Sequence, residues 1–472
     1  MVFKSNFRWF HVLDDLHDRY GDYVRVGPRE LSISDPDAIT PVLGLSSKTT
    51  KGPFYGSLEQ TVHTTRDRRF HRQRRRVWDN GFKESLALFG PRIEGFTDSL
   101  LNRIEENTAQ AVAINEICEH YSYDVMSALA FGKTTGFTEG KSTDTAKKVI
   151  VGIRKGVEGM SLLLHVPWIL SMLKRCSRVP SPMKFFNDWS AEQVELRRRI
   201  ANPEPDLMGH LMKNTPNDRQ GKILLDAEAR LIIGAGSDTT GAALSLIFIY
   251  LAMHPSALDD IRKEMDAVFA ASQYSCLRRQ PVLDSVLNEV LRLHPPVLFG
   301  AQRVTPPEGL QIGAVFVPGN AVVSIPPYRL ARDPRNYAFP DSFIPERWTS
   351  RPELVRNRAA FIPFSTRPYN CAGKNLAMTE LRSVVARVTG DYDVGFPVED
   401  KFDEEAFFER MTDHFTIGVP RQNLIFSGPV SESVPTSTVA VNLKDVKRLE
   451  FLQPSTDADL ADPQVYGNFR DY

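Results

Sequence analysis

The stretch FIPFSTRPYNCAGKNLA, Phe361 to Ala377, sets a lone cysteine between a turn-rich segment and the start of a helix. Cys371 precedes Gly373, and helical periodicity begins near Lys374. This spacing predicts a sulfur at a helix N-terminus, where the dipole and free N–H groups favour thiolate. Taken alone, such a cysteine is equally well an inert buried residue, a redox sensor or a nucleophile with a histidine partner. The rest of the chain has to choose among these.

With 472 residues, 42% of them hydrophobic, the chain has enough apolar material for one large core, and no repeat or long linker divides it. Lys plus Arg and Asp plus Glu both number 58, so no global attraction to nucleic acid or anionic membrane is predicted. Cys118, Cys176, Cys276 and Cys371 lie far apart without C-x-x-C spacing, which argues against a disulfide framework or structural zinc. The N-terminal stretch carries no apolar run of about 18 residues, so no signal peptide or anchoring helix is expected there.

Helical periodicity dominates, over Ser99–Glu106, Ile114–Ala130, Ala227–Met253, Ala257–Ala270, Leu283–Leu293 and Asn375–Val388. Two stretches alternate as strands do: YVRVGPRELSISD around Gly27-Pro28, and LQIGAVFVPGNAVVSI around Pro318-Gly319-Asn320. The expectation is a mainly α protein with a small sheet, in one domain over residues 1–428, followed by a loosely attached tail over 429–472.

Three internal patterns carry chemistry. The long apolar helix ending at His254-Pro255 is interrupted by Gly234, Gly236, Asp238, Thr239, Thr240 and Gly241. Small residues there allow either a flat ligand or a neighbouring helix to come close, and Asp238 beside Thr239 could relay protons. Glu289 and Arg292 share one face of an apolar helix, and Arg347 in FIPERW is a candidate second donor to the carboxylate. RDRRFHRQRRRVW packs seven arginines into the eleven residues Arg66 to Arg76. It reads as a solvated face, as a nucleic-acid or targeting signal, or as inward His71 and Arg75 holding an anion while the outward arginines dock an acidic partner.

The ordered set AGSDTT, Glu289-x-x-Arg292, PERW and FSTRPYNCAG resembles the cytochrome P450 family, the haem-thiolate monooxygenases, and the PYNC variant resembles its fungal members. The resemblance implies a largely helical triangular prism with a small β-rich region, and haem b (iron protoporphyrin IX) between the long distal helix and the cysteine loop. It implies Cys371 as axial iron ligand, Phe364 packed against that loop, and Gly373 within it. His71, Arg75, Arg303 and Tyr369 correspond to haem-propionate contacts, and Asp238 and Thr239 to the acid and alcohol of oxygen activation. Glu289, Arg292 and Arg347 correspond to a structural charge triad. Partners implied are O2, a lipophilic small molecule and an NADPH-cytochrome P450 reductase, with no nucleic acid.

The implied location is the cytosolic face of the endoplasmic reticulum or, with no anchoring helix expected at the N-terminus, the cytoplasm; the apolar run Met160 to Leu173 reads as a membrane-surface contact, a core helix or a substrate-channel lid. Segments 51–65, 157–189, 297–301 and 414–417 correspond to the substrate pocket. Arg367 stands where the family's loop has a glycine, which predicts strain in the turn or restricted haem loading. Two other readings keep the same ancestry: a haem-binding relative without turnover, and a redox-neutral haem-thiolate isomerase or dehydratase.

Overall fold

The computed structural model describes residues 5–175, 183–200, 206–270 and 280–428. The tail expected over 429–472, with Cys176 and Cys276, lies outside the described residues.

The long helix runs Arg219–Met253, eight residues earlier than its apolar periodicity begins, because Asp218 caps it by accepting from the Gly221 N–H at 2.7 Å. From Ala243 to Leu251 every residue is buried, so this distal helix is the axis of the largest core cluster. Its length and composition would suit a membrane span, yet most of it is buried inside the protein. It packs against Ile114–Phe131 along much of its length and against the cysteine helix Lys374–Asp391. Two of its glycines explain the first contact. A Cβ on Gly236 would fall 2.4 Å from Met126 Cε, and one on Gly241 would fall 3.1 Å from Glu119 Cα. Close helix crossing therefore accounts for these two, whereas a Cβ on Gly234 would meet nothing.

The basic run opens one helix, Arg68–Glu105, started by Asp67, which accepts from the Arg69 and Phe70 N–H groups. Its inward arginine is Arg74, 5% exposed, which grips Glu228 of the distal helix through Nε at 2.9 and 3.0 Å. Trp78 Nε1 donates to the same carboxylate at 3.1 Å.

The main sheet orders Tyr23–Gly27, Glu30–Ile33, Val322–Ser324, Arg303–Val304 and Thr50–Lys51. The first hairpin is as the sequence predicts. The second differs: Leu310–Ile312 turns at Gly313 to pair with Val315–Val317, and the chain then crosses at Pro318-Gly319-Asn320 into the main sheet. Gly313, at φ 51°, supplies the left-handed turn. The apolar run Met160 to Leu173 is also two pieces, the end of helix Asp144–Leu163 and the helix Pro167–Arg175, which starts on a proline.

Glu289, Arg292 and Arg347 are fully buried and form the expected triad. Glu289 Oε1 accepts from Arg292 Nη2 at 2.8 Å, Arg347 Nε at 2.9 Å and the Ile344 N–H at 3.0 Å. Oε2 accepts from Arg292 Nε at 3.0 Å and from Trp348 Nε1 at 2.9 Å. The remaining guanidinium N–H groups reach backbone carbonyls of Ala331, Ala338, Phe339 and Pro340. One carboxylate thus fixes the segment from Ala331 to Trp348 onto helix Pro281–Leu293.

Candidate active site

The cysteine loop is closed by the Cys371 N–H donating to the Phe364 carbonyl at 2.8 Å. Phe364 packs on the core, with Lys374 Nζ 5.7 Å from its ring centroid. The Gly373 and Lys374 N–H groups point at the Cys371 sulfur, as the helix-terminus reading predicts. Burial nevertheless pushes the thiol up, against the pull of those N–H groups and of Arg75 and Lys374. The side chain presents open area although protein encloses it on most sides. Both hold for a group on the wall of an internal cleft, and it is the enclosure that governs its chemistry. His63 shares this open but enclosed character, and Ala235, in the middle of the distal helix, is exposed as well.

Arg367 departs from its expectation. It is exposed, and the left-handed residue of the loop is Ser365 at φ 54°, so the arginine side chain needs no forbidden backbone conformation. The strain predicted from its replacement of a glycine is absent at that residue.

Above the loop, Tyr369 is a hub for cations. Lys51 Nζ lies 4.8 Å and the Arg303 guanidinium 5.0 Å from its ring centroid, and the His71 ring stands edge-on at 4.6 Å. The sheet register explains the crowding, because Lys51 and Arg303 are direct cross-strand partners. Like charges placed opposite each other on a sheet repel. Burial, then Arg303 and Arg75, push the Lys51 ammonium down to about 7. Burial, then Lys51 and Arg303, take His63 to about 3, and burial, then Lys51, Arg75 and Arg303, take His71 to about 4, so both imidazoles are neutral. Lys51 donates to the Val62 and His63 carbonyls and Arg303 to the Gln302 carbonyl at 3.0 Å. Among the described residues no carboxylate pairs with either. Arg75 is half-buried: its Nε donates to Asp79 at 2.7 Å and its Nη1 to the Asn370 carbonyl at 2.6 Å, tying the basic helix to the cysteine loop. Of these residues the sequence reading held Lys51 and His63 only within the pocket segment 51–65 and singled out neither. Lys51 sits on a two-residue strand and His63 in a turn without periodicity, and only Lys51 is marked, by its pairing with Arg303.

On the distal helix the Thr239 hydroxyl donates to the Ala235 carbonyl at 2.8 Å, leaving the helix unbroken at the polar notch. Asp238 accepts from the Tyr123 hydroxyl at 3.1 Å. Burial, then the Glu119 carboxylate, push its carboxyl up to about 7, near the pH where an acid can both take and give a proton.

The four predicted pocket segments meet around one aromatic cluster. Phe54 and Phe299 lie 5.9 and 6.1 Å from Phe415, with Leu164 and Tyr55 in the same cluster. Phe415 takes a left-handed φ of 78°, and its N–H donates to Asp413 Oδ1 at 3.3 Å.

Comparison with known proteins agrees with this geometry. The family model for cytochrome P450 matches residues 3–413. The chain is 36% identical over 423 residues to cytochrome P450 monooxygenase orf5 of Eupenicillium brefeldianum, covering 88% of this chain and 85% of that protein. It is 36% identical over 437 residues to cytochrome P450 monooxygenase FCK2 of Fusarium pseudograminearum, covering 90% and 78%. It is 34% identical over 431 residues to tryprostatin B 6-hydroxylase of Aspergillus fumigatus, covering 89% and 76%. The chain belongs to the cytochrome P450 family of haem-dependent monooxygenases.

The residues fit a haem. Burial and the neighbouring charge of Arg303 disfavour the Lys51 ammonium, and an anion such as a pair of propionates would offset both. The cysteine sulfur faces an internal cleft, as an axial ligand must.

Proposed function

We propose that the protein inserts one oxygen atom from O2 into a lipophilic small molecule of fungal secondary metabolism, using electrons from a separate NADPH-cytochrome P450 reductase. The observation that carries this reading is the Cys371 sulfur on the wall of an interior cleft, with an unbalanced cation cluster around Tyr369 beside its loop. Haem b, held by Cys371 and, at its propionates, by Lys51, Arg303, Tyr369, His71 and Arg75, would supply dioxygen binding and reduction.

The protein's own residues do the rest. Phe54, Leu164, Phe299 and Phe415 give the substrate an apolar wall and exclude water, which favours a lipophilic molecule over a charged one. Thr239 and Asp238 hold and pass protons. Arg69, Arg72 and Arg76, exposed on the basic helix, offer an acidic reductase a docking face. Trp168, 65% exposed on helix Pro167–Arg175, supports peripheral contact with the endoplasmic reticulum membrane. Reconstitution with reductase, NADPH and isotopically heavy dioxygen tests the reading: one heavy oxygen atom in the product supports it, and substrate conversion without label points to a redox-neutral reaction instead.

Two further outcomes follow. Thr239→Ala is expected to raise hydrogen peroxide formed per product several-fold, measured as NADPH consumed against product; unchanged coupling contradicts its role. Lys51→Met removes a buried cation opposite Arg303 and is expected to lower haem occupancy while leaving apoprotein stability equal or higher, because the repulsion between Lys51 and Arg303 disappears. Haem absorbance per protein and apoprotein melting check both halves.

A further inference from the structure

Asp238 faces more than the cleft. Three groups act on its carboxyl, and they come from two other helices: Tyr123 and Glu119 from Ile114–Phe131, and Arg154 from Asp144–Leu163. Tyr123 is 1% exposed, and its hydroxyl donates to Asp238 Oδ1 at 3.1 Å. Burial, then the two neighbouring carboxylates, hold its phenol far above its ordinary range. It therefore stays an O–H donor at every pH the fold survives and does not itself ionise. Glu119 is clamped by Arg154, with Nε donating to Oε1 at 3.1 Å and Nη2 closing on Oε2. The Arg154 side chain is 53% exposed, so this pair reaches solvent.

The close crossing at Gly236 and Gly241 is what brings these groups together, since the two glycines flank Asp238 and let the Tyr123 helix lie against the distal helix. A carboxyl oxygen that already accepts an O–H bond binds a proton less well than its partner oxygen.

We propose that Tyr123 is a positioning residue for proton delivery: by donating to Oδ1 of Asp238 it leaves Oδ2 as the oxygen that takes up and releases the proton, while the Glu119–Arg154 pair beside it connects that carboxyl with bulk water. The proposal rests on reading Asp238 and Thr239 as the proton-delivery pair. In a coupled turnover substrate and O2, with two electrons from the reductase and two protons, give oxygenated product and water. When protons are delivered to the wrong place or too late, the same two electrons and two protons leave with O2 as hydrogen peroxide. Tyr123 acts on the balance between these outcomes through Asp238 and touches no reacting atom.

The test uses the haem-loaded enzyme and two readouts. The first is infrared absorption of the Asp238 carboxyl, isolated as the wild-type minus Asp238→Asn difference and followed against pH. Tyr123→Phe removes a donor to the ionised form and is expected to raise the carboxyl's proton affinity about tenfold, whereas Glu119→Gln removes a neighbouring negative charge and lowers it. The second readout is hydrogen peroxide per product against pH, whose profile is expected to move up for Tyr123→Phe and down for Glu119→Gln. A band and a profile that stay at wild-type values in both variants, while Asp238→Asn alters coupling, overturn the proposal and leave the proton-delivery reading standing. A band that moves without the profile also overturns it, leaving Tyr123 a residue that tunes the Asp238 carboxyl without bearing on proton delivery. Coupling unchanged by Asp238→Asn itself brings down the underlying reading. If Tyr123→Phe fails to fold, fluorotyrosine placed at position 123 decides: it keeps the ring and its more acidic O–H donates more strongly to Oδ1, so the band and the profile are expected to move down, and wild-type values in both overturn the proposal.

Discussion

Cys371→Ala is expected to lower reductase-supported oxygenation to background while the protein still folds. The sulfur contributes little to packing: its side chain is open to an interior cleft, and the loop is closed by the Cys371 backbone N–H, which alanine keeps. What alanine loses is the thiolate donor. Four influences on the sulfur, the Gly373 and Lys374 N–H groups and the charges of Arg75 and Lys374, already favour its ionised form, and burial alone opposes them. A bound metal ion reverses that opposition, because a coordinating thiol is deprotonated outright. Haem retained through the propionate cluster without turnover is the predicted phenotype, measured as haem absorbance beside product yield. Turnover at a tenth of wild type or more would mean that another residue ligates the iron.

Glu289→Ala is expected to carry the largest loss of stability, about 3–5 kcal/mol, because it strands two buried guanidinium groups rather than removing a balanced pair. Against a typical total of about 5–15 kcal/mol, that loss moves much of the protein into insoluble material at ordinary growth temperature. Five donors converge on this carboxylate, from Arg292, Arg347, Trp348 and the Ile344 backbone, and the segment they hold leads directly into the cysteine loop. Glu106→Ala is the matched control. Glu106 also pairs with an arginine three residues away, Arg103, but at 3.4 Å with both side chains well exposed, and its loss is expected to change stability by less than about 0.5 kcal/mol. Chemical denaturation of the two variants compares them; similar midpoints would contradict the assigned role of the triad.

The triad was legible because Glu289-x-x-Arg292 sits in an apolar helix, where a charge pair has to find further donors, and PERW supplies one. Cys371 before a helix start and Asp238-Thr239 inside an apolar helix stood out for the same reason, as residue types out of keeping with their surroundings, and the roles expected of them came from the family resemblance. Partners set by distant contacts were not. One of the three readings of the basic run set His71 and Arg75 inward; His71 is buried and Arg75 half-buried, but the most buried arginine of the run is Arg74, because Glu228, far along the chain, needs a counter-charge. Lys51 becomes informative only once strand pairing sets it opposite Arg303.

The glycines of the distal helix show how one signal serves two causes. In the sequence they fitted both ligand approach and helix crossing; the positions of Met126 and Glu119 assign Gly236 and Gly241 to crossing. Arg367 shows the reverse case. A rule about glycine at one loop position predicted strain, and the fold moved the left-handed backbone to Ser365 instead.

The account stands on thiolate ligation of the haem iron by Cys371, and the reduced protein under carbon monoxide reports it most directly. A strongly red-shifted Soret band in the wild-type protein, lost in Cys371→Ala, is the predicted result. A Soret band at the position of histidine-ligated haem, or one unchanged by the substitution, would contradict it.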